Sequence, residues 1–284
     1  MQVKTMNHNL KKRLPLVIIF LVFAVGLTIM GYPLVSDWLS AYTAKVEIAD
    51  YTAAVEKEDT SRLDAMWKEA EEYNQSLNSA PKASAVSYED LLSVTDTIGY
   101  LEIPKISVYM PIYHGIDAAV LEKGIGHMPE TSLPVGGEST HCVLSGHTGL
   151  PAAKILTDLT KMEEGDFFYI HVLGKTLAYK VDQIKVVLPE ETDDIKIVEG
   201  KDYVTLLTCT PYGVNSHRLL VRGERTDYVP DTVSVESLPK VQVKEMIPVS
   251  TIRMTGMIAG IAIVIVIILL ILFVPGKDQK RGKE

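Results

Sequence analysis

The sequence predicts a mainly β domain preceded by a helical extension and flanked by two apolar helices, and three observations carry that reading. Between residues 97 and 226, short runs rich in β-branched, aromatic and aliphatic residues alternate with turn formers. At either end stands a block of 23 residues without a formal charge, 14–36 and 254–276, where about 20 suffice to cross a bilayer as a helix. Between the first block and the β region, residues 44–77 are rich in Ala, Glu and Lys. There Leu63, Met66, Trp67, Ala70, Tyr73 and Leu77 recur at helical spacing.

Taken in order, residues 1–13 carry Lys4, Lys11, Lys12 and Arg13, and residues 277–284 carry Lys277, Lys280, Arg281 and Lys283. The positive-inside rule therefore predicts transmembrane helices at 14–36 and 254–276, with both termini cytoplasmic and the middle of the chain outside. The first block exceeds the core of a cleaved signal peptide and no small-x-small site follows it closely, so it reads as an uncleaved anchor. The second is apolar all round and has no polar face to give to water. Residues 37–96 read as a helical extension whose apolar stripe packs on the next domain, ending in a Pro-, Ala- and Ser-containing loop at 78–87. The β domain spans 97–226, with strands at 98–103, 108–113, 141–144, 167–172, 176–187, 203–208 and 219–223, a hairpin turn at Leu173-Gly174-Lys175 and a helix at 152–159. Residues 227–253 read as an extended tether, with an edge strand at 233–235 as the alternative. Many short strands of this kind build a closed barrel or a sandwich.

Charge and cysteines narrow the function. Setting aside eight cations and two acids at the basic ends leaves 20 Lys and Arg against 34 Asp and Glu, a net −14. Such a surface excludes nucleic acid as a partner. Cys142 and Cys209 are the only cysteines, and in an oxidising exterior a disulfide and a free nucleophile are both open readings. No metal or cofactor is expected: Glu190, Glu191, Asp193 and Asp194 lack the glycine and alternation of a calcium loop and read as a solvated charge run.

One stretch suggests chemistry more than packing. Residues 205–218 read Thr-Leu-Leu-Thr-Cys-Thr-Pro-Tyr-Gly-Val-Asn-Ser-His-Arg, two strands joined by a loop of turn formers, with Cys209 and Arg218 at its two mouths. Antiparallel partners lie about 5 Å apart at Cα, so a fixed positive charge there could favour thiolate or hold a developing oxyanion. A general acid or base must come from elsewhere. Seven histidines are present, and distance along the chain does not choose among them. His217 adjoins Arg218, but neighbours in a strand point to opposite faces. His127 and His141 lie in apolar or Gly-rich surroundings and read as structural, whereas His147 sits between Gly146 and Gly149 at the end of an apolar strand, where a side chain can project from a scaffold.

The same stretch resembles the Thr-Leu-x-Thr-Cys signature of sortases, the membrane-anchored transpeptidases of Gram-positive cell surfaces, including the Arg nine residues past the Cys. The likeness extends through Gly-Tyr-Leu-Glu-Ile-Pro-Lys-Ile at 99–106, Pro-Ile-Tyr-His-Gly at 111–115 and Leu-Ser-Gly-His-Thr-Gly-Leu-Pro at 144–151, so that 99–224 looks like one sortase barrel. The resemblance implies a closed barrel, Cys209 as nucleophile, His147 as proton carrier, Arg218 at the oxyanion or substrate backbone, and Cys142 as a buried strand thiol; Thr208, beside Cys209, is taken as substrate-binding through its hydroxyl, with packing alone as the alternative. It implies cleavage of an LPxTG-type sorting signal between Thr and Gly through a Cys thioester, and transfer to an amine. The helical extension, the residues after Cys209 and the second apolar block look like class C, where the amine is a pilin lysine. The partners implied are pilin or surface proteins bearing such signals, and the bilayer. Alternatives are an anchoring sortase using the cell-wall precursor amine, and a non-catalytic, membrane-tethered pilin-binding protein. Class C sortases typically carry a lid built on Asp, Pro and an aromatic. Residues 78–87 hold neither Asp nor an aromatic, and Asp64 to Trp67, which has both, falls in the helical pattern, so a loop over the site is expected to be weakly held.

Overall fold

The computed structural model describes residues 8–78, 87–149 and 155–227. Its β-strands are β1 (Gly99–Ile103), β2 (Val108–His114), β3 (Ile125–His127), β4 (Thr140–Ser145), β5 (Phe167–Val172), β6 (Lys175–Val187), β7 (Asp202–Thr210) and β8 (His217–Thr226). They close into one barrel in the order β1-β2-β3-β4-β7-β8-β6-β5, with β5 pairing back onto β1. The expected closed barrel is therefore the fold. Two of the pairings are parallel, β2 with β3 and β4 with β7, and the others are antiparallel. Leu101, Ile103, Ile112, Ile125, Leu144 and Leu206 are fully buried in its core. The β5–β6 connection is the expected tight hairpin. Leu173 and Gly174 both have positive φ, 45° and 77°, as a two-residue turn matching the strand twist requires.

Helix α1 (His8–Lys57) runs without interruption across the boundary expected at 36–37, and α2 (Thr60–Leu77) follows, its first turn capped by Asp59 accepting from the Ser61 amide. The apolar part of α1 up to Val35 and the body that begins at Ser36 are separate units. In the first, Leu16, Ile19, Val22, Phe23 and Ile29 are exposed. Among the described residues, α1 is the one helix long and apolar enough to cross a membrane.

In the body, Ala44, Ile48, Tyr51 and Val55 recur every three or four residues of α1 and are buried. The Tyr51 hydroxyl accepts from the Leu173 amide at 2.8 Å and donates to the Ile98 carbonyl at 3.2 Å. The apolar stripe of α2 packs on the barrel core as expected, through Ala70, Leu63, Met66, Trp67 and Tyr73. Beside it lies a contact the stripe does not announce. Buried Asn74 donates to the Leu133 carbonyl and accepts from the Leu133 amide, at 3.1 and 2.7 Å, two bonds of about 1 kcal/mol each.

Three differences from expectation have local causes. Strand β3 is three residues between Gly124 and Met128, too short to show alternation. Helix α3 (Ala118–Leu121) is a single turn capped by Asp117, whose carboxylate accepts from Ala119 and Val120. The helix expected at 152–159 is, where described, a 3-10 turn at Thr157–Lys161. Buried Leu156, Leu159 and Met162 recur every three residues, the spacing a 3-10 turn sets on one face. The greater part of the loop at 78–87, the tether with its alternative edge strand, the second apolar block and the basic tail lie outside the described residues.

Candidate active site

The site is built at one end of β7, which lies between β4 on one side and β8 on the other. On the antiparallel side Cys209 is the register partner of Arg218, and Thr210 that of His217. On the parallel side Ser145 pairs with Leu207, and the Gly146 amide still donates to the Leu207 carbonyl at 3.0 Å. Two residues further along each strand stand His147 and Cys209. The thiol thus lies between the imidazole-bearing loop and the guanidinium-bearing strand. His147, Thr208, Cys209 and Arg218 line one cavity of about 270 Å³. Its other walls are largely apolar, with Ile116, Leu121, Met128, Ile195, Leu207 and Leu220 among them.

The loop carrying His147 is fastened by its backbone. The Thr208 hydroxyl, fully buried, donates to the Gly146 carbonyl at 2.7 Å; Leu156 donates to the His147 carbonyl at 3.0 Å; and the Gly149 amide donates to the Thr157 hydroxyl at 3.2 Å. A Cβ on Gly146 would stand 2.8 Å from the Leu156 side chain and 3.0 Å from Ile125, so only glycine lets the loop turn over the core there. Thr208, expected to bind substrate, lines the cavity but commits its hydroxyl proton to this loop. Arg218 donates from one guanidinium nitrogen to the Asn215 and His217 carbonyls at 3.2 and 3.1 Å. Among the described residues no carboxylate pairs with it.

The remaining histidines divide by environment. His127 is fully buried, with Nε2 donating to the Ser132 carbonyl at 2.9 Å and Nδ1 accepting from the Tyr88 hydroxyl at 2.7 Å. Burial pushes its pKa down to about 4. His141 bridges the Lys196 carbonyl and the Thr205 hydroxyl, and burial lowers it too. Both serve the fold. His217 faces Ser216, at 2.9 Å, rather than the cavity.

Both cysteines are free. Cys142 is the partner of Val204, five residues before Cys209 on the adjacent strand, an offset of about 16 Å at ~3.3 Å per residue. A disulfide needs Cα atoms within about 7 Å. Burial, with Asp202 adding to it, holds the Cys142 thiol well above the ordinary range. Of the acidic run, Asp194 pairs with Lys185, Asp193 with Lys196, and Glu191 accepts from the Leu188 amide.

Residues 101–226 match the family described as the sortase domain. The chain is 32% identical to sortase D of Bacillus subtilis over 130 residues, 45% of this chain and 63% of that one, and 25% identical to sortase A of Bacillus anthracis over 214 residues, 75% of this chain and 95% of that one. Among solved structures, sortase C of Clostridium perfringens, determined with the C-terminal cell wall sorting motif, is 50% identical, with a TM-score of 0.60, covering 64% of this chain and 98% of that one. Sortase C of Streptococcus pneumoniae is 45% identical, with a TM-score of 0.60, over 64% of this chain and 96% of that one. The chain belongs to the sortase family. Sortases are cysteine transpeptidases, and in this one the strand register sets the His147 loop and Arg218 on either side of the half-buried Cys209. Sequence reasoning missed the walls that α3 and the residue after β3 add to the sortase cleft, Leu121 and Met128. The one available signal was Asp117 capping a short apolar run.

Proposed function

We propose that this sortase is a pilin polymerase of class C. The observation that carries the reading is the register around β7: parallel pairing with β4 and antiparallel pairing with β8 set His147 and Arg218 on either side of Cys209. The resemblance to sortase C structures supports the class. In the first half-reaction the Cys209 sulfur attacks the Thr carbonyl of an LPxTG-type signal, Arg218 hydrogen-bonds the oxyanion, and the C–N bond to Gly breaks. The proton leaving the thiol passes through His147 to the departing amine, so charge and atoms balance. In the second, a pilin lysine amine attacks the thioester, its proton returns through His147, and the thiol is released. Arg cannot accept a proton, so it does not orient the imidazole as the Asp of a serine triad does.

The apolar wall of the cleft suits the Leu-Pro end of such a signal, which offers no charge to satisfy. The chain is further proposed to cross the membrane at 14–36 and 254–276, with both termini cytoplasmic. Mass spectrometry of the full chain with a pilin and its sorting signal tests the chemistry. A thioester on Cys209 and Lys-linked pilin oligomers are expected; thioester without oligomers, but with transfer to a cell-wall precursor amine, would replace the pilin acceptor. Protease added to protoplasts should digest the barrel and spare a tag on Glu284, and loss of that tag would overturn the topology.

A further inference from the structure

Among the described residues no hydrogen bond holds the His147 imidazole, and the contacts found there act on the loop that carries it. The contacts already described hold that loop from below, to β7 at Gly146 and to the 156–157 segment. One contact holds it from the side of the thiol. Tyr212, three residues past Cys209 on the β7–β8 connection, lies against Gly149, two residues past His147. A Cβ built on Gly149 would meet Cε2, Cδ2 and Cζ of the Tyr212 ring at 3.1, 3.4 and 3.4 Å. The ring therefore lies close against the bare Cα of Gly149. Gly149 also has φ +76°, a conformation L side chains rarely adopt, so a side chain here would be strained and would crowd the ring. Tyr212 is 68% exposed, and a ring so exposed contributes little to a core. The turn beneath it is tied, since the Val214 and Asn215 amides both donate to the Pro211 carbonyl, at 3.1 and 2.9 Å. The ring is thus presented by a fixed turn.

We infer that Tyr212 is a positioning residue, a clamp whose ring presses the His147 loop toward the Cys209 hairpin and sets the separation across which the proton moves. The inference rests on the roles proposed above for Cys209 and His147. It uses the ring and assigns no task to the hydroxyl. Because proton transfer falls steeply with misplacement, about 10²-fold for a displacement of 1 Å, releasing the loop should slow the chemical steps and leave binding in the apolar cleft in place.

The test uses the full chain in detergent micelles with an LPxTG peptide and a lysine acceptor. Tyr212→Ala should lower kcat about 10-fold or more with KM within twofold, Tyr212→Phe should keep at least half of wild-type kcat, and the melting temperature should hardly move. Alkylation of Cys209 by iodoacetamide also requires the thiol to give up its proton, so its rate should fall in Tyr212→Ala and stay within twofold of wild type in Tyr212→Phe. The contact has its own readout: ring current should shift a Gly149 α-proton in wild type and in Tyr212→Phe, and not in Tyr212→Ala. A kcat for Tyr212→Ala within twofold of wild type, equal losses in Tyr212→Phe and Tyr212→Ala, or loss of melting temperature together with kcat would each overturn the clamp, as would an unshifted Gly149. A wild-type chain that shows the shift but forms no thioester would refute the proposed reaction and leave the contact standing.

Discussion

Arg218 stands directly across the β7–β8 ladder from Cys209, and its guanidinium is steadied by the carbonyls of Asn215 and His217, 3.2 and 3.1 Å away. That geometry spends one nitrogen on the turn and leaves the rest of the planar fork for a ligand. Arg218→Lys should therefore lower kcat/KM about 10²-fold, as loss of an oxyanion donor does, with no change in melting temperature. Peptide cleavage assays check it, and activity within fivefold of wild type would remove Arg218 from the reaction.

Cys209→Ala should abolish transpeptidation, whereas Cys142→Ala should retain turnover and lose about 1 kcal/mol of stability from a fully buried strand position. Turnover and denaturant melts of the two variants separate chemistry from packing. Equal inactivation of two folded variants would mean that both sulfurs take part.

His147→Ala should be as inactive as Cys209→Ala, and the double variant no worse, because the two act as one unit. His217→Ala should stay near wild type, its ring being turned to Ser216. Additive losses in the double variant would show that the two residues work in separate steps.

Thr208→Val keeps the shape of the side chain and removes the donor to the Gly146 carbonyl. A stranded buried acceptor costs about 1–3 kcal/mol, and the loop it fastens bears His147, so both stability and kcat should fall. A variant with full kcat would show that the remaining backbone bonds hold the loop without it.

Stability should fall as the medium turns acid. The pKa of His127 is depressed in the fold to about 4 from an ordinary 6.5, so the unfolded chain takes the proton first. The contribution is complete above pH 6.5 and is lost as pH falls toward 4, on the order of 3 kcal/mol. Half-buried His114 and buried His141 act in the same direction, and Asp202, raised by burial, acts against them. Urea melts at pH 7 and pH 5 measure the slope, and His127→Leu should be less stable yet flatter between them. An unchanged slope would place the acid sensitivity elsewhere.

What could be read from the sequence was what the chain writes locally. Seven of the strands and the β5–β6 turn follow from short-range alternation and turn residues, and the Cys209–Arg218 pair follows because a hairpin joins its two strands. The neighbouring of Cys209 and His147 does not follow in the same way: it depends on parallel pairing between strands 62 positions apart, which no local pattern encodes, and the motif likeness supplied it instead. Strand β3 was missed because three residues cannot display a period. Asn74 was missed because a polar residue beside a helical stripe reads as solvent-facing until its partner, the Leu133 backbone, is seen.

The same parallel pairing bears on how the chain reaches its native state. A hairpin can form while its own residues are still emerging, but β4 and β7 must meet over a long loop, a slow class of event. Until they do, nothing holds the two sulfurs five residues out of step, and in an oxidising medium they are free to join. Such a bridge would lock the strands in a register that buries the wrong faces. Refolding from denaturant under oxidising conditions should accordingly trap a disulfide-linked species, and a reductant, or Cys142→Ala, should restore the yield.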